Sequence, residues 1–576
     1  MLDYRIEGGT LIDGTGTPGR RADVGVRDGR IVAVGEVDES ANETIDADGL
    51  VVAPGFVDPH THYDAQLFWD PLASPSSVHG VTTIVGGNCG FTLAPLAAED
   101  ADYLRRMMAK VEGMPLPALE NGVPWNWSSF GDYLGRLDGN VAVNAAFNVG
   151  HCALRRNVMG PDAIGNEATR EQIERMVQLL HQSIDAGGLG FSTTLSFTHS
   201  DGDGQPVGSR WASKEEVLAL CAAVRDHEGT TLEYVTDGCM RGFRDDEVDL
   251  MAEMTLAARR PLNWNVLTVD AKEPERYRSQ LAACENASER GGRAIALTMP
   301  VLVEMNMSFR NYCALFMLPG WGDVMNLPVA DRIAKLRDLE TRRWMNERAR
   351  SPEAGVFSRL ASWGRYEIGD TFSSANEGLK GRSVYDIAKE RGRESFDTLL
   401  DVVIEDELRT VLWPLPPDDD PDSWKLRADA WHHPLVLIGG SDAGAHLDRM
   451  CGAPYTTAFL ADTLRGRKLV PLEEAVHMIT QAPAELFGLR DRGVVREGFH
   501  ADVVLFDPAT VGPDEVRLVE DLPGGTARLF AGSAGVERVF VNGRPIVAGG
   551  TTTGALPGTV LRSGRDTRTV PVPAGA

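Results

Sequence analysis

Apolar residues along the chain fall into short runs separated by longer amphipathic stretches. Eight runs stand out: GFVDPHTH, VTTIVGGNCG, VAVNAAFNVGH, GLGFSTTLSF, TTLEYVTD, PLNWNVL, AIALTMP and PLVLIGGSDAG. Each has the length and the Gly, Pro or Asp boundaries of a buried strand. The stretches between them carry helix signals. TREQIERMVQLLHQSIDAG opens on a Thr169 and Gln172 capping box and stops at Gly187. SKEEVLALCAAVRDHEG opens on Ser213 and Glu216 and stops at Gly229. Strands alternating with helices predict an α/β fold, a (β/α)8 TIM barrel, over residues 55–489.

The two ends read differently. ADVGVRDGRIVAVG and GVERVFVNGRPIVAGG alternate apolar and polar positions around Asp28-Gly29 and Asn542-Gly543. These are hairpin turns, and HADVVLFDP (500–508) is a further strand. Residues 1–54 and 490–555 are therefore expected to form one small β-sandwich built from both termini, followed by a C-terminal tail, 556–576. Barrel spacing breaks twice: about sixty residues separate strands two and three, and 301–434 separates strands seven and eight. The second insertion holds NYCALFMLPGWGDVMNLP, whose apolar residues suit a lid over a greasy group. Ordinary lid-to-barrel packing would produce the same composition, and a homo-oligomer contact explains the insertion nearly as well.

Composition narrows the class. The chain has 576 residues, 43% of them hydrophobic, and a formal charge of −26. So acidic a surface argues against nucleic acid and anionic membranes as partners. The start, MLDYRIEGGTLIDGTG, lacks the pattern of a signal peptide, and no apolar run reaches the ~18 residues of a membrane span. The seven cysteines are scattered, with no C-x-x-C pair. The expectation is a cytoplasmic protein with reduced thiols, acting on a small molecule. No P-loop, dinucleotide fingerprint or G-x-S-x-G elbow is present.

In such a barrel, reacting groups gather where strands end. His60 and His62 close strand one. Residues two apart on an extended strand point the same way, so the pair can grip one metal ion. Cys89 closes strand two in GGNCG, where a thiolate suits zinc; a buried cysteine in a tight turn is the alternative. Asp442 closes strand eight in LIGGSDAGAH, placed to bind a metal and take a proton from water. His151 closes strand three and could orient a substrate carbonyl or act as an acid. Arg155 or Arg156 could grip a substrate carboxylate, against the alternative of a surface salt bridge. Ser192 lines the end of strand four. His446, four residues past Asp442, is a candidate hydrogen-bonded neighbour of the metal site. His79 precedes strand two and reads as structural.

PGFVDPHTH, HGVTTIVGGNCG, VGHCALR, GGSDAGAH, ITQAPAELFGLRDRGVVREGFHADVVLFDP and VFVNGRPIV together resemble the amidohydrolase superfamily, in its N-acyl-D-amino-acid deacylase branch. The resemblance covers nearly the whole chain, and GNCG is its most specific motif. It implies a metal-bearing barrel with a small β-sandwich, and hydrolysis of a C–N amide bond other than a peptide bond. It implies that His60, His62 and Cys89 are metal ligands and that Asp442 is ligand and base. The same family also holds zinc with one histidine at the end of strand five and one at the end of strand six. Neither TTLEYVTD nor PLNWNVL contains one, and no histidine lies between His227 and His432. Three readings follow. One zinc ion sits on His60, His62 and Asp442, completed by Cys89 or water. Alternatively Glu233, Asp237, Asn263 or Asn265 replaces the lost ligands and favours Mn²⁺ or another divalent ion, although for Glu233 and Asn265 hydrogen bonding that orients the rim is the simpler role. Or no metal binds, leaving an enzyme with altered chemistry or a non-catalytic relative. The alternative function is a reaction of the same fold on a different substrate, such as a cyclic amide.

Overall fold

The computed structural model describes residues 1–572. Eight parallel strands form the barrel: β1 Phe56–Asp58, β2 Val81–Gly86, β3 Asn144–Phe147, β4 Gly190–Thr194, β5 Thr231–Val235, β6 Leu262–Asn265, β7 Ala294–Thr298 and β8 Val436–Ile438. They correspond one for one to the eight apolar runs. β3 breaks at Asn148 and resumes at Val149–Gly150, which pairs with β4. A parallel bridge from Thr61 to Ala443 joins the ends of β1 and β8 and closes the ring. The strands are buried on both faces, which is why they read as continuous apolar runs rather than alternations. Val57, Val85, Ile295, Leu297 and Leu437 share one apolar cluster with Leu486 and Phe487.

The Thr169 capping box works as predicted, whereas Ser213 caps its helix alone because the Glu216 carboxylate is taken by His151 and Arg155. Thr169 accepts from the Gln172 amide and Gln172 returns to the Thr169 amide, starting Arg170–Asp185. Both ends of the chain build the β-sandwich. One sheet comes wholly from the N-terminal segment. The other interleaves Thr10–Leu11 and Val51–Pro54 with Val503–Phe506 and Val536–Val541. Residues 556–572 are not a loose tail. Ala145 exchanges backbone hydrogen bonds with Thr559 and Leu561, continuing the ladder beside β3.

Leu302–Asp420 forms a compact unit of its own, ending before the 434 expected from the sequence. Its core holds Phe309, Leu315, Leu318, Trp321 and Met325, with Trp321 stacked on Trp363 at 5.6 Å between centroids. Much of the apolar segment, from Cys313 to Met325, lies in the interior of this unit, while Tyr312 and Met317 are exposed. His79 is buried with both ring nitrogens engaged, by Thr457 Oγ1 and the Ala531 carbonyl, a structural role.

Candidate metal centre

The ends of β1, β2 and β8 are stitched together by backbone. The Thr61 amide donates to Val85, His62 to Ala443 and Asp442 to His60. His60 and His62 thus leave β1 with their rings side by side, 5.2 Å between centroids. The buried Asp58 carboxylate receives the amides of His60 and Ser441, fixing both strand ends. Cys89 is held with φ 56°. Gly87 precedes it because a Cβ there would meet the Asn148 carbonyl oxygen at 2.3 Å. Asp442 and His446 also take left-handed backbone, φ 58° and 50°. Conformations this unfavourable for non-glycine residues persist where the surroundings impose them, commonly at functional sites.

These turns bring five side-chain donors together in two triads that share His62. Cys89 Sγ lies 3.5 Å from His60 Nε2 and 3.8 Å from His62 Nε2. Asp442 Oδ1 lies 3.6 Å from His60 Nε2 and 3.1 Å from His62 Nε2. Glu112 Oε2 lies 3.5 Å from His62 Nε2. A four-coordinate ion with bonds of about 2.0–2.3 Å holds its ligands roughly 3.3–3.8 Å apart. Each of two overlapping triads, His60, His62 and Cys89 on one side and His62, Glu112 and Asp442 on the other, has the chemistry and the compactness to hold a divalent cation. The charge fits as well: Asp64, Glu112 and Glu233 are buried around the two imidazoles.

The electrostatics agree. Burial pushes the Cys89 thiol well up, and Glu233, Glu112 and Asp442 push it further. Burial and the carboxylates of Asp442, Asp64 and Glu233 push Glu112 well up. Burial alone would raise Asp442 too, but hydrogen bonds from His60 and His62 hold its carboxyl well below the usual range. Asp442 keeps 32% of its side chain exposed, an edge through which it can meet water and substrate.

Glu233 and Asn265 stand behind the cluster. Glu233 Oε2 accepts from the Cys89 amide at 2.8 Å and from Ser192 Oγ at 2.9 Å. Asn265 Nδ2 lies 2.7 Å from Glu233 Oε1 and 2.8 Å from His60 Nδ1. Ser192 Oγ also receives the Gly90 amide. Glu233, Asn265 and Ser192 therefore orient Cys89 and His60 rather than line a substrate pocket. Asp237 and Asn263 are not part of the donor cluster: Asp237 takes the Phe197 amide and pairs with Arg241 and Arg244, and Asn263 bonds the Leu232 carbonyl. His446 Nε2 lies 3.8 Å from Asp442 Oδ2.

Two sequence expectations are corrected. His151 starts the helix His151–Met159, and its nitrogens are taken by Thr193 Oγ1 and Glu216 Oε1, both at 2.8 Å. Arg155 is fully buried, paired to Glu216 at 2.5 Å and bonded to the carbonyls of Ala163 and Asn166. Neither is free to touch a substrate. Arg156 is likewise occupied, by Asp100. The Arg155→Met variant is expected to lose about 3–5 kcal/mol of stability, because Glu216 loses a buried partner, with KM unchanged. Denaturant titration and steady-state kinetics read this; a raised KM at wild-type stability would return Arg155 to the substrate site. Glu112 and His199 were missed. His199 is bonded through Nδ1 to Thr194 Oγ1 at 2.7 Å, and burial lowers its pKa to about 3, with His62 opposing its protonation further.

Comparisons place this geometry among known proteins. Residues 43–547 match the model of the amidohydrolase family. The chain is 31% identical to a D-aminoacylase of Alcaligenes xylosoxydans xylosoxydans over 97% of each chain. Among solved structures it is similar to a D-aminoacylase with a binuclear metal centre, described by one-metal activation and second-metal attenuation. There the identity is 29% and the TM-score 0.64, covering 98% of this chain and 100% of that one. It is also similar to N-acyl-D-glutamate deacylase from Bordetella bronchiseptica in complex with zinc and a phosphonate mimic of the tetrahedral intermediate. That match has 25% identity and a TM-score of 0.63, over 98% and 100% of the two chains.

Proposed function

The chain belongs to the amidohydrolase family, and from that premise we propose that it is a metal-dependent hydrolase that cleaves the amide bond of a small N-acyl-D-amino acid. The observation that supports this is the approach of both Cys89 and Asp442 to the His60 and His62 imidazoles, at 3.1–3.8 Å. One zinc ion is the resident metal in this reading, supported by the zinc of the Bordetella relative.

His60, His62 and Cys89 would hold the cation, with Asp442 a further donor within reach of both imidazoles. When bound, the cation supplies Lewis acidity, polarising the scissile carbonyl and making water a better nucleophile. Asp442 takes the proton of the attacking water and delivers it to the leaving nitrogen, so the amine departs neutral. Hydrogen bonds from His60 and His62 keep its carboxylate ionised. His446 Nε2 stands 3.8 Å from the second oxygen of Asp442, outside hydrogen-bond distance. Glu233, itself held by Ser192 and Asn265, fixes the Cys89 turn through the Cys89 amide, so the thiolate donor costs little reorganisation when the cation enters.

Amine release from paired N-acyl-D- and N-acyl-L-amino acids tests the function. Purified, Zn²⁺-loaded protein is expected to turn over the D-series at least about tenfold faster in kcat/KM, a difference of ~1.4 kcal/mol in transition-state binding. Turnover of cyclic amides alone, with none of the N-acyl amino acids, would move the chain to a different substrate class.

A further inference from the structure

We propose that Glu112 is a metal ligand that gives this centre a second, harder face, so that the site selects between ions. The inference rests on the reading of the cluster as a metal centre. Glu112 caps the helix Ala101–Val111 in the excursion between β2 and β3. It is 3% exposed, and among the described residues no hydrogen bond reaches its carboxylate. That carboxylate points at His62 Nε2, 3.5 Å away. Glu112, His62 and Asp442 offer three donor atoms within 4.8 Å of one another, and so do His60, His62 and Cys89.

The backbone holds Glu112 there. Its amide donates to Met108, and its carbonyl receives the His446 amide at 2.5 Å. Gly113 follows with φ 58°, where a Cβ would fall 2.2 Å from Arg449 Nη2 and 2.9 Å from His446 Nδ1. The turn therefore needs glycine, and it directs the preceding side chain inward. A buried carboxylate with no hydrogen-bond donor stays ionised only where a cation meets it.

Both triads use His62 Nε2. That nitrogen has one lone pair and serves one ion at a time. The triads are thus two faces of a single cage. The Cys89 face is soft and the Glu112 face is hard, and thiolates favour Zn²⁺ where carboxylates suit Mn²⁺. β5 and β6 supply no histidine, so Glu112 adds a donor on the His62 side of a cage that has fewer imidazoles on the other.

The test is metal affinity of the full-length protein, measured by chelator competition with Zn²⁺ alone and Mn²⁺ alone. Glu112→Gln is expected to weaken Mn²⁺ at least about tenfold and Zn²⁺ less than about threefold. Cys89→Ser is expected to do the reverse. Glu112→Gln with wild-type Mn²⁺ affinity overturns the proposal while leaving the hydrolase reading intact. Wild-type protein that binds neither ion overturns both. Should Glu112→Gln misfold, anomalous scattering from Mn²⁺-soaked wild-type crystals decides. A peak bonded to the Glu112 carboxylate, about 2.2 Å away, supports the inference; a peak on Cys89 Sγ, away from Glu112, sinks it.

Discussion

Asp442→Asn is expected to lower kcat/KM about 10³- to 10⁴-fold, the upper range for removing a positioned general base. The substitution isolates the chemistry from the fold. Asparagine has the same shape, and it tolerates the left-handed backbone that Asp442 adopts at φ 58°. The amide that Asp442 donates to His60 and the carbonyl that receives the Ala445 amide are backbone groups and survive. What disappears is the charge facing His62 at 3.1 Å and the acceptor for the water proton. Thermal melts of the two proteins should overlay within a few degrees, and the D-acyl substrates should lose turnover far more than binding. Turnover within tenfold of wild type would place the base elsewhere.

His62→Ala is the second large effect. His62 belongs to both donor triads, so its loss damages the soft and the hard face together. Replacing residues that merely orient ligands costs 10- to 100-fold in metal affinity. Removing this shared ligand should cost more than about 100-fold, for Zn²⁺ and Mn²⁺ alike, and bring hydrolysis to background. Elemental analysis after dialysis reads the first, amine release the second. Exhaustive chelation of the wild type should reproduce the loss of activity, and added metal should restore it in the wild type alone. Full metal occupancy in His62→Ala would show that the ion sits elsewhere in the molecule. Glu112→Gln and Cys89→Ser, by contrast, should each spare one of the two ions, so the three variants together map the cage.

Much of the frame was legible because it rests on local periodicity. The eight strands are apolar runs with turn residues at their ends, and a parallel barrel buries such runs on both faces. His60 and His62 share a direction because a strand repeats every two residues. Cys89 and Asp442 could be placed because each follows its strand through glycines that the rim requires. His151 and Arg155 were misplaced for an equally physical reason. A sequence shows that a group can bond, not whether a partner already holds it. Here Glu216, on the helix Lys214–Val224, takes both. The apolar segment at 311–328 showed its composition but not its neighbours, and those turned out to be its own unit's core.

Glu112 marks the boundary between the two kinds of information. In the chain it is one of many acidic residues, at the end of an ordinary amphipathic helix, fifty residues beyond His62. Only when the β2–β3 excursion folds back, so that the His446 amide meets the Glu112 carbonyl, does its carboxylate stand beside an imidazole. The order of strands, the imidazole pair and the strand-end thiol and carboxylate follow from periods of two and 3.6 residues along the polymer. Which charges are already neutralised, and which remain free to hold a cation, depends on contacts across tens to hundreds of residues, where packing and desolvation decide.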